Sequence, residues 1–184
     1  MKNIIIKKAT PKDFEEIFKF NYQIFTEEIG QYAKNREGMK IDKFHDKNHY
    51  FIAVKDLKVI GLLAIHCQSP YSVEEKCEDF YGTIKKDSNI VEIRLFSVSK
   101  EYRKSFLSWR LVAQAIDYLL KKEIDYIVVS AIEKQVSLYQ KLGFSIFAEG
   151  KQEGKAIFYP MFASFNHIIQ NRFIQKCKKE LTNA

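Results

Sequence analysis

The apolar patterning predicts an α/β (α+β) domain: a mixed central sheet of about seven strands, helices on both of its faces, and one further helix at the C-terminus. Three observations carry this. Residues 50–54 and 59–66 are β-rich runs separated by Lys55-Asp56-Leu57-Lys58, the pattern of an antiparallel hairpin. Residues 90–148 alternate strand, helix, strand, helix, strand. In the first of those helices Leu107, Leu111, Ala115 and Leu119 fall four apart, with Val112 and Ile116 widening the stripe, so one face is buried against a sheet.

Taken in order, residues 3–9 read as a first strand, and Thr10-Pro11-Lys12-Asp13 is a helix start with Thr at the N-cap, Pro at the first helical position and an acidic third residue. Phe14, Ile17, Phe18, Ile24 and Phe25 then repeat at helical spacing, with breaks at Gly30 and Gly38 that predict two short helices. The hairpin follows, and residues 68–88 are polar and irregular. Strands are predicted at 90–98, 126–130 and 144–148, and helices at 105–122 and 133–142. A last strand at 156–162 is broken at Pro160, and Phe165, Ile169, Phe173 and Cys177 mark an amphipathic helix. Residues 1–162 thus form one domain, and residues 163–184 a helix packed on it or extending from it.

Composition excludes several classes. With 46% hydrophobic residues, 15 Phe and 10 Tyr against only 7 Gly and 3 Pro, the chain is globular and neither disordered nor loop-rich. Its longest apolar run, residues 59–65, is about a third of a membrane span, and no signal peptide is evident, so a cytoplasmic location is expected. Cys67, Cys77 and Cys177 are odd in number and far apart, without His at ligand spacing, which reads as reduced thiols and no metal. His45, His49 and His66 gather at a site only if the fold brings them together. The net charge of +7 suits an acidic partner or plain solubility, with a local excess at Arg172, Lys176, Lys178 and Lys179. No nucleic-acid-binding motif accompanies it.

Leu138-Tyr139-Gln140-Lys141-Leu142-Gly143-Phe144 resembles the Tyr-x-x-x-Gly-Phe element of the GNAT acyltransferases. Glu92 to Val98, followed by Ser99-Lys100-Glu101-Tyr102-Arg103, is similar to the same superfamily's fourth strand and the turn into its acyl-donor helix, so the resemblance spans residues 3–162. One segment departs from the pattern. Where the superfamily usually has Arg/Gln-x-x-Gly-x-Gly/Ala, this chain has Arg103-Lys104-Ser105-Phe106-Leu107-Ser108. Glycine there lets a pyrophosphate approach the backbone N–H groups at a helix N-terminus. Phe106 crowds that approach unless its ring turns into the core. Phe25-Thr26-Glu27-Glu28-Ile29-Gly30, then Ile41-Asp42-Lys43-Phe44-His45-Asp46 and Tyr50-Phe51-Ile52-Ala53, resemble the N-terminal half of the acyl-homoserine-lactone synthases and N-acyl amino acid synthases, GNAT-like enzymes that commonly take acyl chains from acyl carrier protein.

The resemblance implies an N-acyltransferase that moves an acyl group from acyl-CoA, acetyl-CoA or acyl carrier protein to the amine of a small molecule or amino acid by direct attack. It assigns Tyr139 as the acid at the thioester sulfur and Glu92 as the base; Tyr139 is otherwise a core aromatic, and Glu92 otherwise the partner of Arg94 on the same strand face. Phe96, Ser97 and Val98 are the expected pantetheine and oxyanion contacts. Arg103, Lys104, Ser105, Phe106, Leu107 and Ser108 face the phosphates of the donor. Glu28, Asp42 and Arg94, with Glu27 and Asp46 as further carboxylates, are candidates for holding the acceptor, or are solvated charges. Trp109 and Phe106 either line an acyl pocket or belong to the core. Cys67 has no His/Asp partners that would make it a nucleophile. The alternative is a catalytically silent GNAT-like domain that binds an acyl ligand or a protein partner.

Overall fold

In the computed structural model, which describes residues 4–85, 87–172 and 174–176, the chain starts with strand β1 (Ile5–Lys8) and a capped turn in which the Asp13 carboxylate accepts from the Thr10 N–H at 2.8 Å. Helix α1 (Phe14–Asn21) follows and runs without a break into a wider turn over Tyr22–Glu28, where the Ile29 N–H donates to Ile24 O at 2.9 Å. A second helix beyond Gly30 does not form. Residues 29–44 are instead an irregular loop over one face of the sheet.

Strands β2 (Asn48–Lys55) and β3 (Lys58–His66) form the expected hairpin, closed by Asp56 and Leu57, both at positive φ as a two-residue turn with right-handed twist requires. Residues 68–85, in a stretch polar in sequence, are more ordered than their composition suggests. They contain the short helix α2 (Phe80–Thr83) and bury Tyr71, Val73, Phe80 and Ile84 against Ile90 and Val128. Four apolar anchors among polar residues suffice to fold a loop down without making a periodic pattern.

Strand β4 (Ile90–Val98), helix α3 (Leu107–Leu119), strand β5 (Tyr126–Ile132) and helix α4 (Val136–Lys141) come next. Then come β6 (Ser145–Ile146), β7 (Lys151–Glu153), β8 (Ala156–Ser164) and α5 (Phe165–Gln170). The sheet has eight strands, in the order β1-β2-β3-β4-β5-β8-β6 with β7 also on β8. β7 adds one strand to the expected number because its Lys-Gln-Glu sequence carries no apolar signal. Pro160 does not break β8: its carbonyl accepts from the Phe147 N–H at 3.2 Å, on the side facing away from β5. A residue's N–H and C=O point the same way in an antiparallel ladder, so the missing donor falls between β6 and β7 and the pairing with β5 survives.

The period of two sorts the core. Phe51, Leu63, Ile65 and Val91 face α3, while Tyr50, Ile52, Leu62 and Ala64 face α1. Leu107, Leu111 and Leu119 of α3 are all but fully enclosed, each contributing about 1.5–3 kcal/mol by burial. Phe165, Ile168 and Ile174 of the C-terminal segment join the same cluster. Phe173, Cys177, Lys178 and Lys179, part of the expected C-terminal helix, lie outside the described residues.

Candidate functional site

The site begins at a fork. β4 and β5 are the parallel pair of the sheet, and they pair only from Ile90↔Tyr126 to Ile93↔Val129, although β4 continues to Val98 and β5 to Ile132. Beyond Ile93, β4 therefore has no strand on its β5 side among the described residues. Leu95 sits there at φ 54°, in the left-handed region that a branched side chain rarely adopts, and the register with β3 slips between Leu62 and Ala64. A bulge thus turns the backbone of residues 95–96 at the mouth of the fork. Ser97 Oγ donates to Leu95 O at 3.0 Å across it.

On the α3 side of the fork lies an apolar cavity of about 60 Å³. Ile93 and Val129, the last rung before the strands part, both line it, as does Phe96 just beyond. Val112, Ala115, Ile116 and Leu119 make its α3 wall, Leu63 and Ile127 add to its sheet side, and Tyr139, Leu142, Phe144, Ile168 and Ile174 complete it. Gly143 at φ 99° ends α4 and lets the chain turn so that Phe144 meets Tyr139 edge-on, with ring centroids 5.4 Å apart. Burial in this setting pushes the Tyr139 phenol up to about 12. Phe106 and Trp109 do not line the cavity; they sit on other faces of the helix start, and Phe106 is 58% exposed.

The opposite face of the fork is built from charge. Glu92 is fully buried, accepting from the Ser72 N–H at 2.9 Å, from Ser72 Oγ, and from Arg94 Nη1 at 3.0 Å. Arg94 Nη2 donates at 2.7 Å to Asp42, whose carboxylate also accepts from the Phe44 N–H at 3.0 Å and Asn48 Nδ2 at 2.8 Å. Burial alone would raise the Asp42 carboxyl, but the Arg94 charge and these hydrogen bonds outweigh it and hold it below the usual carboxylate range. Burial likewise opposes the Arg94 charge, and its two carboxylates prevail. The guanidinium also lies 4.7 Å from the Phe44 ring centroid, and Phe44 stacks on His66 at 4.5 Å. Burial lowers the His66 pKa, and its Nε2 lies 3.2 Å from Pro70 O, which can only accept.

Three segments close over this face. The Lys155 N–H donates to Gly30 O at 3.0 Å, Gln31 Nε2 to Glu153 at 2.5 Å, and Lys76 pairs with Glu153 at 2.8 Å. A methyl on Gly154 would stand 2.3 Å from Gly30 O, so the β7–β8 turn needs glycine to reach the loop. Tyr32 stands nearby, its phenol pushed up to about 12 by burial and by the charges of Glu153 and Asp42.

The expected residues therefore divide. Asp42, Glu92 and Arg94 meet in one network, whereas Glu28 is exposed and held by both terminal nitrogens of Arg103, at 2.5 and 2.6 Å. Glu27 and Asp46 are exposed as well. Arg103, expected at the donor phosphates, has its third nitrogen on Val98 O at 3.0 Å. Ser105 Oγ takes the Leu107 N–H at 3.2 Å and donates to Tyr102 O at 2.6 Å, while the Leu107 side chain is buried in the core and Lys104 is exposed. Val98 is also in the core. Ser72 was not singled out from sequence, and Phe44 and His66 were named there without a role in this network. Ser72 lies twenty residues before its partner in a polar stretch, where no periodicity marks it. Among the described residues, no three His, Cys, Asp or Glu side chains converge to hold a metal, and no helix is long and apolar enough to cross a membrane.

A model of the acetyltransferase (GNAT) domain matches residues 20–113. No curated protein matches the chain by sequence. Among solved structures, the CoA-dependent acyl-homoserine lactone synthase BjaI, with SAM and isopentyl-CoA, superimposes with a TM-score of 0.75 at 14% identity, covering 98% of this chain and 90% of that one. FeeM, an N-acyl amino acid synthase from uncultured soil microbes, gives 0.71 at 15%, covering 95% and 98%. A GNAT-family acetyltransferase from Streptococcus pneumoniae gives 0.60 at 19%, covering 88% and 99%. At these identities the likeness is one of fold.

Proposed function

The chain belongs to the GNAT acetyltransferase domain family, and from that premise we propose that it moves an acyl group from a pantetheine thioester to the amine of a small molecule or amino acid. One observation carries the reading. The fork between β4 and β5 has an apolar cavity on one face and a buried ion network on the other, a division that suits an acyl chain and a charged amine respectively.

In this reading the amine nitrogen attacks the thioester carbonyl, a C–N bond forms, and collapse of the oxyanion breaks the C–S bond. The ammonium must lose a proton and the thiolate must gain one. Backbone N–H groups of Phe96, Ser97 and Val98, beside the bulge, are suited to the pantetheine arm and the oxyanion. Tyr139 donates a hydrogen bond to the sulfur. With its phenol near 12 and an ordinary thiol near 8.5, full proton delivery runs uphill by roughly 3 units, so stabilisation of the departing thiolate is its better role. Glu92 is enclosed with both oxygens already taken, which favours a positioning residue acting through Arg94 over a base. Asp42 and Glu92 together outnumber the single Arg94 charge, leaving a net negative wall toward which an ammonium is drawn.

The donor's phosphate end is where this chain departs from its family. Ser105 occupies the Leu107 N–H, Glu28 occupies Arg103, and Phe106 stands out into solvent, which together supports a grip on the pantetheine arm and a weak one on the nucleotide. A carrier-protein donor fits the same arrangement. Thiol release measured with matched acyl-CoA, acyl-phosphopantetheine and acyl carrier protein tests this: kcat/KM should differ by no more than about 10-fold when the nucleotide is removed. A loss of about 10³-fold would restore the ordinary phosphate grip. No release from any thioester, with amino acids and diamines as acceptors, would sink acyl transfer.

A further inference from the structure

Resting on the reading that the fork holds an acyl thioester, we infer that Ile168 and Ile174 of the C-terminal segment close the blind end of the acyl pocket and select a short chain, of about four carbons with the carbonyl included. The cavity reaches the rung Ile93↔Val129, where the strands part. Its other end is set by α5. Ser164 pairs with Tyr126 at the end of β5 away from the fork, and the Phe165 N–H donates to Asp125 O at 2.8 Å, so the helix starts behind the cavity. Ile168 and Ile174 then enter the lining from that side, at 4% and 2% exposure.

Volume sets the length. An apolar cavity of roughly 150 Å³ accommodates a six-carbon ring, so about 60 Å³ admits on the order of two to three carbons beyond those lodged in the fork. Every lining residue except Tyr139 is purely hydrocarbon, which excludes hydroxylated or charged acyl groups from the closed end. The segment is also fastened in place. His167 packs over Gly143, where a methyl would stand 2.3 Å from its ring, and Asn171 Nδ2 donates to Lys141 O at 3.1 Å. Both contacts hold the C-terminal segment to α4 and the turn that follows it, so the position of Ile168 is fixed against the cavity.

The test is a chain-length profile. Thiol release is measured with straight-chain acyl thioesters of two to twelve carbons on the wild type, on Ile168→Ala/Ile174→Ala, and on Ile168→Phe. The wild type should peak near four carbons; the double variant should raise the eight-to-four-carbon ratio of kcat/KM by roughly 10-fold or more, and Ile168→Phe should shift preference toward two. Should the double variant fail to fold by circular dichroism, Ile168→Val and Ile168→Phe must still move the profile in opposite directions. Folded, active variants with an unmoved profile, or a wild-type peak at ten carbons, overturn this inference and leave acyl transfer intact. Absence of turnover with every thioester overturns both.

Discussion

The two faces of the β4–β5 fork are made of opposite materials, and they hold their shape for different reasons. On one, Asp42, Arg94, Glu92 and Ser72 tie three segments together through directional bonds between buried charges. On the other, aliphatic side chains from α3, β5 and α5, with the ring of Tyr139 from α4, leave a small gap that no bond defines. A charge network tolerates almost no change, since removing one member strands another in a dry interior. An apolar wall tolerates exchange of size at graded cost. The contrast shows where variation is tolerated: side-chain size can change along the apolar wall, whereas the polar wall is fixed by its partners.

The comparison breaks first at Arg94. Arg94→Met leaves Glu92 and Asp42 without their shared partner and should destabilise the protein by about 3–5 kcal/mol in urea unfolding, whereas Ile168→Val on the apolar wall should cost only about 0.5–1.5 kcal/mol. Equal costs would mean that the polar wall is not the rigid one. A second variant sharpens the same point from the apolar side. Tyr139→Phe keeps the ring against Phe144 and should change stability by less than about 1 kcal/mol while lowering kcat by on the order of 10²-fold. An unchanged kcat would make the ring a packing residue only.

The smallest effect is on pH dependence, and it separates two kinds of group: the histidines, His66 in the polar wall and His49 against Tyr118 on the α3 face, and the carboxylate of Asp42. His66 and His49 have folded pKa values lowered, chiefly by burial, so the unfolded chain binds more protons below about 6.5 and stability falls as pH drops through that value. Asp42 is also lowered, but its contribution is complete above its unfolded pKa of 3.8 and is lost only as pH falls toward its folded value. Urea midpoints should therefore decline in two stages, and His66→Gln with His49→Gln should erase the upper one. A single decline confined to pH below 4 would show that these histidines titrate normally.

Much of the frame was legible along the chain. The hairpin 48–66, the stripe of α3 and the turn Tyr139 to Phe144 follow from periodicity and from residues with restricted backbones, which are local properties. The pairing of Glu92 with Arg94 was legible for the same reason, two residues apart on one strand. Asp42 was visible as a candidate, although nothing local separated it from Glu28 or Asp46; burial chose among them. Pro160 misled because its cost depends on which neighbour its missing N–H would have faced.

Most strands and helices, their order and the apolar faces that force helices onto both sides of a sheet follow from the sequence, because each depends on a short stretch of chain; α2 and β7 leave no such local mark, and the second short helix expected beyond Gly30 does not form. It takes the packed molecule to show that β4 and β5 part after Ile93 and Val129, that Ser72 reaches back to Glu92, that Glu28 occupies Arg103, and that Ile168 and Ile174 line the same cavity as α3. Those facts join residues tens of positions apart. A polar residue's partner and a cavity's volume are set by how whole elements pack, and no window of sequence contains that information.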